Sequence, residues 1–412
     1  VAGAVAFWIG LSAWASWSLE RARARFVAVV GTVEAAAQRP EAASAAEQDA
    51  IRWLFEGTAA VAVGDEESAH LGEIVRRGPA SWSPEEREMV ATLARREAEA
   101  LALLERAGAL HGGSTSAAID DQRLLENGPR LLRGTMLLLA RAGLALDDGP
   151  SDAGRTLSAL AGIARTLQAG SGPPQQIFGT VVEGRYLRGV HWMVEDPAVP
   201  AAVLADLLDD LSITPSAERI RALVAPLGTA GGEAELETPW WQRLERASNL
   251  TTLRRMVEAS GEPGALLAMA GAGEASGAQA ASADTALAEL AIPNIVDAAL
   301  RMQAVEASRR LARVLLGLRI QAAADGVPQL WLPWIGRRLE SAEPDPLTGQ
   351  RPVLTAEDGV ILITNPAAAE VWETRWGGPP GERTPPPYVW RLQPEILLRF
   401  ERDRDGARSP AP

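Results

Sequence analysis

Along most of the chain, apolar residues return at helical spacing and are interrupted by proline or glycine, the punctuation of successive short helices. The clearest helix start is Ser83-Pro84-Glu85-Glu86. Ser83 is an N-cap, Pro84 takes the first helical position and Glu86 closes a capping box. That helix is expected to reach Ala109. Further helices are predicted over residues 22–38, 44–63, 130–145, 151–169, 175–194, 200–211, 216–227, 240–259 and 261–269. Asp147-Asp148-Gly149 reads as the turn of an antiparallel helix pair. A long helix over 295–325 carries Ala299, Met302, Val305, Leu311, Leu315 and Leu318 near helical spacing, and Gly326-Val327-Pro328 stops it.

From Leu330 the texture changes. Proline and glycine become dense, and Val360-Ile361-Leu362-Ile363-Thr364 is the strongest strand candidate, with Asp358-Gly359 as a turn and Val353-Leu354-Thr355 as its hairpin partner. The opening stretch differs again. Val1 to Leu19 holds no charge, Trp14 and Trp17 lie near one end, and Glu20, Arg21, Arg23 and Arg25 follow. Such a stretch is long enough for a membrane-spanning helix. A buried helix and a signal peptide are the alternatives, and the lack of a small-residue cleavage site before Glu20 favours the anchor.

These patterns predict a mainly α protein: an N-terminal transmembrane helix, an irregular, α-solenoid-like stack of helical hairpins, and a small C-terminal β-hairpin segment. The expected division is 1–20 anchor, 21–325 helical ectodomain, 326–400 Pro/Gly-rich segment with the hairpin, and 401–412 disordered tail. No fixed-period repeat is present, which argues against a strict tetratricopeptide array.

Composition narrows the chemistry. The 412 residues are 47% hydrophobic but only 5% aromatic, with alanine the dominant apolar residue, which favours closely packed helices. The net charge of -13 opposes a role on nucleic acid. There is no cysteine, so disulfides, thiol nucleophiles and cysteine-held metals are excluded. All 40 Lys+Arg residues are arginine, which excludes Schiff-base chemistry and a Walker lysine.

Few constellations remain. Glu67-Ser68-Ala69-His70 has Glu-x-x-His spacing but occurs once, whereas a carboxylate-bridged metal site needs two copies. His111 and His191 lie far from it. Asp120-Asp121, Asp147-Asp148 and Asp209-Asp210 flank turns and helix ends, where caps are expected. Asp403-Arg404-Asp405-Gly406 lacks the remaining ligands of a calcium loop, and Gly271-Ala272-Gly273 follows no strand. No catalytic residue, cofactor site or metal site is assigned. Trp240, Trp241, Trp331, Trp334, Trp372, Trp376 and Trp390 form the candidate interaction set, since tryptophan serves as a binding hot spot or carbohydrate platform; it also fills a core that alanine leaves thin.

Four stretches, 48–59, 83–110, 137–167 and the run 292–320 followed by 345–364, resemble uncharacterised, membrane-anchored helical proteins of high-GC bacteria. Asp345-Pro346-Leu347-Thr348-Gly349, ahead of a hairpin, is similar to a segment of pseudopilin-type exported proteins, although the tyrosines usual in that hairpin are missing. The resemblance implies a single-pass protein of the bacterial inner membrane with a periplasmic body, and no activity. Arginines after the uncharged stretch favour a cytoplasmic body instead, and charges before Val1 would enter the same vote, so charge alone leaves the orientation open. The function expected is that of a non-enzymatic interaction protein, an accessory subunit or scaffold of a membrane or envelope complex, with partners in the lipid bilayer through Val1–Leu19 and in another protein, and none in nucleic acid. The alternatives are a small-molecule or glycan-binding module using the late tryptophans and a hydrolase with dispersed carboxylates.

Overall fold

The computed structural model describes residues 2–30, 44–110, 119–170, 172–211, 214–229, 239–270, 286–325, 331–357, 360–376 and 389–392. The protein is mainly α-helical. In chain order the helices are α1 (Ala2–Val30), α2 (Ala45–Ala60), α3 (Asp65–Arg77), α4 (Pro84–Arg96), α5 (Ala98–Ala109), α6 (Asp121–Asp148) and α7 (Pro150–Gln168), then α8 (Pro173–Glu195), α9 (Ala201–Asp210), α10 (Ser216–Thr229) and α11 (Trp240–Ser260). A short helix at 265–270 precedes α12 (Ala286–Asp325), α13 (Trp331–Glu340) and α14 (Pro366–Trp376).

Local chemistry sets many of these ends. The hydroxyl of Ser83 accepts from the Glu86 amide, and the Glu86 carboxylate accepts from the Ser83 amide at 2.9 Å, completing the expected capping box. The same device at Ser44 and Glu47 opens α2. Two ends depart from the sequence pattern. The helix begun at Ser83 breaks at Glu97, whose buried carboxylate turns inward to accept the Ala62 amide at 2.9 Å. α6 starts at Asp121, ahead of the expected Arg130, and runs through Pro129; Asp120 caps it by accepting from the Gln122 and Arg123 amides. A well-made cap upstream outweighs one hydrogen bond lost at proline.

Two hydrophobic cores result. The first gathers α2 to α9 with the C-terminal half of α12, and α8 runs through it against α6, α7 and α12. The second gathers α1, α10, α11 and the N-terminal half of α12. α12 is 40 residues long and belongs to both. The strands β1 (Val353–Glu357), β2 (Val360–Thr364) and β3 (Val389–Leu392) form an antiparallel sheet in the order β1-β2-β3. The expected hairpin pairs Val353 with Thr364 and Glu357 with Val360. β3 is an addition to the expected pair and sets Trp390 opposite Ile363.

The expected membrane span requires correction. α1 does not stop near Leu19 but runs on to Val30, 29 residues in all, lying on α11 and burying Leu19, Ala22 and Phe26 in the second core. Arg243 of α11, itself buried, donates to the hydroxyl of Ser12. Among the described residues, no helix is long and apolar enough to cross a membrane. The reason is compositional. Alanine, serine and tryptophan fill Ser12 to Ser18, and these gain far less from hydrocarbon than leucine, isoleucine or valine.

Candidate functional site

The seven tryptophans are spread over four elements. Trp240 and Trp241 open α11, Trp331 and Trp334 lie on α13, Trp372 and Trp376 on α14, and Trp390 on β3. Of their side chains the structure describes two, Trp240 and Trp334. Both are partly buried, and Trp334 packs against the first core.

A different tryptophan borders a sizeable cavity. This hollow of about 690 Å³ lies where the end of α3, the end of α6 and the last turns of α8 meet, and Trp192, Arg188, His191 and Arg76 line it. Trp192 meets Trp82 edge to face at a centroid distance of 6.0 Å, and the Trp82 indole donates to the Ile74 carbonyl at 2.8 Å. Gly78 turns the chain beside Trp192 with φ of 83°, and a Cβ there would stand 3.1 Å from the Trp192 indole nitrogen. Trp82 and Trp192 are far apart in the chain, and neither carries a local motif. Their pairing had no signal in the sequence.

The carboxylates are engaged in structure. At that cavity Asp147 pairs with Arg87 at 2.5 Å, Glu195 with His191 at 3.2 Å, and Asp196 accepts the Ala198 amide at 2.8 Å. The facing carboxylate pair needed by the hydrolase reading is not assembled there. Asp210 pairs with Arg165 at 3.0 Å, and Asp121 accepts from Gln175 at 2.9 Å. Glu67, the acid of the Glu-x-x-His run, accepts from both arms of Arg96 at 2.7 and 2.8 Å and from the Gly64 amide at 3.0 Å. These bonds, led by the one from Arg96, hold its carboxyl down at about 2. Among the described residues no group of three His, Cys, Asp or Glu is placed to hold a metal ion. His111, Gly271-Ala272-Gly273 and the 403–406 run lie outside the described residues.

The densest polar cluster is sealed between the two cores. Glu183 of α8, fully buried, accepts from Arg219 of α10 at 2.6 Å, from Gln168 of α7 at 2.8 Å, and pairs with Arg309 of α12 at 3.3 Å. Arg309 also reaches Glu306 at 2.5 Å, and Glu306 accepts from Arg310 at 3.0 Å and from the Ser216 amide at 2.7 Å. Arg219 further donates to the Thr180 hydroxyl. Four helices are thus stitched by two carboxylates and three guanidiniums. Burial pulls the Arg219 pKa down and opposes ionisation of Glu306, but Arg309, the Ser216 amide and Arg310 together outweigh burial at Glu306 and hold that carboxyl below its ordinary range.

The Asp345-Pro346-Leu347-Thr348-Gly349 turn is also structural. The buried Asp345 carboxylate accepts from the Leu347 amide at 2.7 Å, the Thr348 hydroxyl at 2.8 Å and the Asn365 side chain at 2.6 Å. Asn365 follows β2 directly, so one carboxylate ties the turn ahead of the hairpin to the end of β2. Burial raises its pKa despite these donors. No protein family, curated protein or solved structure matches the chain.

Proposed function

We propose that this chain is a non-enzymatic helical scaffold, an irregular stack of helical hairpins of α-solenoid character serving as an accessory subunit of a bacterial membrane or envelope complex. One observation carries the reading: how the ionisable groups are used. One member of each carboxylate pair that stands out in the sequence caps a helix or closes an ion pair, and Glu183, Arg219 and Arg309 are sealed in the interior, beyond a substrate's reach. Groups so committed hold helices in register and do not transfer protons. The membrane setting is supported by the exposed tryptophans of the first helix, Trp14 and Trp17, and the periplasmic side by the resemblance of the 345–364 segment to exported proteins. Tagged full-length chain isolated from native membranes in mild detergent should carry a partner at fixed stoichiometry. Recovery as a lone chain at every salt and detergent condition tested would sink the proposal.

A second reading is favoured by the cavity. A volume of about 690 Å³ is within the range of small-molecule sites, so a ligand-binding role would centre on Trp192 and not on the late tryptophans. Calorimetric titration with a panel of envelope glycans and small organic acids tests it. Silence across the panel, or equal binding by Trp192→Phe, removes it.

A further inference from the structure

α1 is buried along one side only. Leu19, Ala22 and Phe26 belong to the second core, and with Ala15 on the same side they have exposures of 9% or less. The opposite stripe, at helical spacing, reads Trp14, Trp17, Arg21, Ala24, Arg25 and Ala28, all exposed. Trp14 and Trp17 are 52% and 53% exposed, the largest hydrophobic side chains so placed among the described residues. The Arg21 guanidinium sits 5.1 Å from the centre of the Trp17 ring. The stripe therefore grades from aromatic to basic along the helix, with Glu20 the acidic residue at its edge.

We infer that this outer stripe of α1 is a lipid-contacting surface that lies in the headgroup layer of a bilayer bearing anionic phospholipid, without crossing it. It deepens the membrane setting proposed above by naming the surface that meets the bilayer. Three features select lipid as the occupant. An indole places an apolar ring and a polar N–H at the headgroup boundary, where tryptophan is enriched. The arginines are positive on a chain whose net charge is -13, so the local sign opposes the molecule's own and complements phosphate. The surface is also a convex helix ridge, and the Trp192 cavity lies on other elements. A ridge suits a yielding layer, in which such helices sink about 5–10 Å.

Flotation of the full chain with vesicles is the test, and it requires no partner protein, so its outcome is separate from that of the co-purification above. The chain should float with vesicles of phosphatidylcholine and phosphatidylglycerol, less with phosphatidylcholine alone, and less again at high salt. Trp14→Ser with Trp17→Ser should weaken binding about tenfold or more while leaving circular dichroism and melting unchanged, since both side chains are half exposed. Arg21→Gln with Arg25→Gln should remove the preference for the anionic vesicles. Absence of flotation overturns the inference, as does unchanged flotation of the tryptophan variant. If that variant floats normally but loses a co-purifying protein, the stripe is a protein dock and the inference fails. Resistance of the bound chain to alkaline extraction would show a crossing helix and also overturn it.

Discussion

Where α5 crosses α7 the two backbones meet with no side chain between them. A Cβ on Gly108 would stand 2.0 Å from the Ala159 carbonyl oxygen, and one on Gly162 would stand 1.9 Å from the Gly108 carbonyl oxygen. Backbone cannot swing aside as a side chain can, so Gly162→Ala should cost about 1–3 kcal/mol or more, read as a lowered melting temperature. Gly317, inside α12 with nothing within 4 Å of its would-be Cβ, is the control: Gly317→Ala should stabilise by about 0.5–1 kcal/mol. Asp345→Ala should also destabilise, by about 1–3 kcal/mol, because three donors lose their acceptor in a buried turn; loss of hydrogen-exchange protection in 353–364 would locate the damage. At this scale the sequence was informative where chemistry is local. Ser83 with Glu86, and Asp120 at its helix start, act as short-range caps. The glycine contacts between α5 and α7 and the Trp82–Trp192 pair have no such signature, and the tryptophans singled out for their late clustering share no described site.

Among the elements, the buried seam decides which helix meets which. Glu183 serves α7, α10 and α12 together, so Glu183→Gln leaves Arg219 without its counter-charge inside the protein. Removing one partner of a buried pair costs about 3–5 kcal/mol, and chemical denaturation should show a loss of that size. A loss under about 1 kcal/mol would mean that packing alone fixes the helices. Acid acts on this seam through Glu306 and, away from it, on the Glu67–Arg96 pair. Glu306 and Glu67 both have carboxyls held below the ordinary value of 4.5, so the stability they lend is complete above that value and fades as pH falls through their folded values, about 2 for Glu67. Glu306→Gln should flatten the acid limb of a stability–pH profile; an unchanged limb would place the acid sensitivity elsewhere. Periodicity located most helices and the hairpin. It did not locate the break at Glu97 or the passage of α6 through Pro129, because a buried carboxylate and an upstream cap decide those points.

At the scale of the whole molecule, α12 is shared by two cores and the seam lies between them, so the described helices should unfold as one unit. Calorimetry should give a single transition, and two resolved transitions would show that the cores are separable. The mainly helical class was legible from alanine, proline and glycine alone. The position of α1 was not: absence of charge alone permits both a bilayer and a protein groove, and the alanine, serine and tryptophan of Ser12 to Ser18 were the overlooked signal against a span. The contact between Ser12 and Arg243 spans 231 residues of chain. A ribosome adding about 5–20 residues each second needs roughly 10–50 s between finishing one and reaching the other. Throughout that interval the greasy first helix emerges with no groove to enter, open to whatever factor or surface waits at the exit tunnel. Only when α11 has been made does the segment that shelters it in the fold exist.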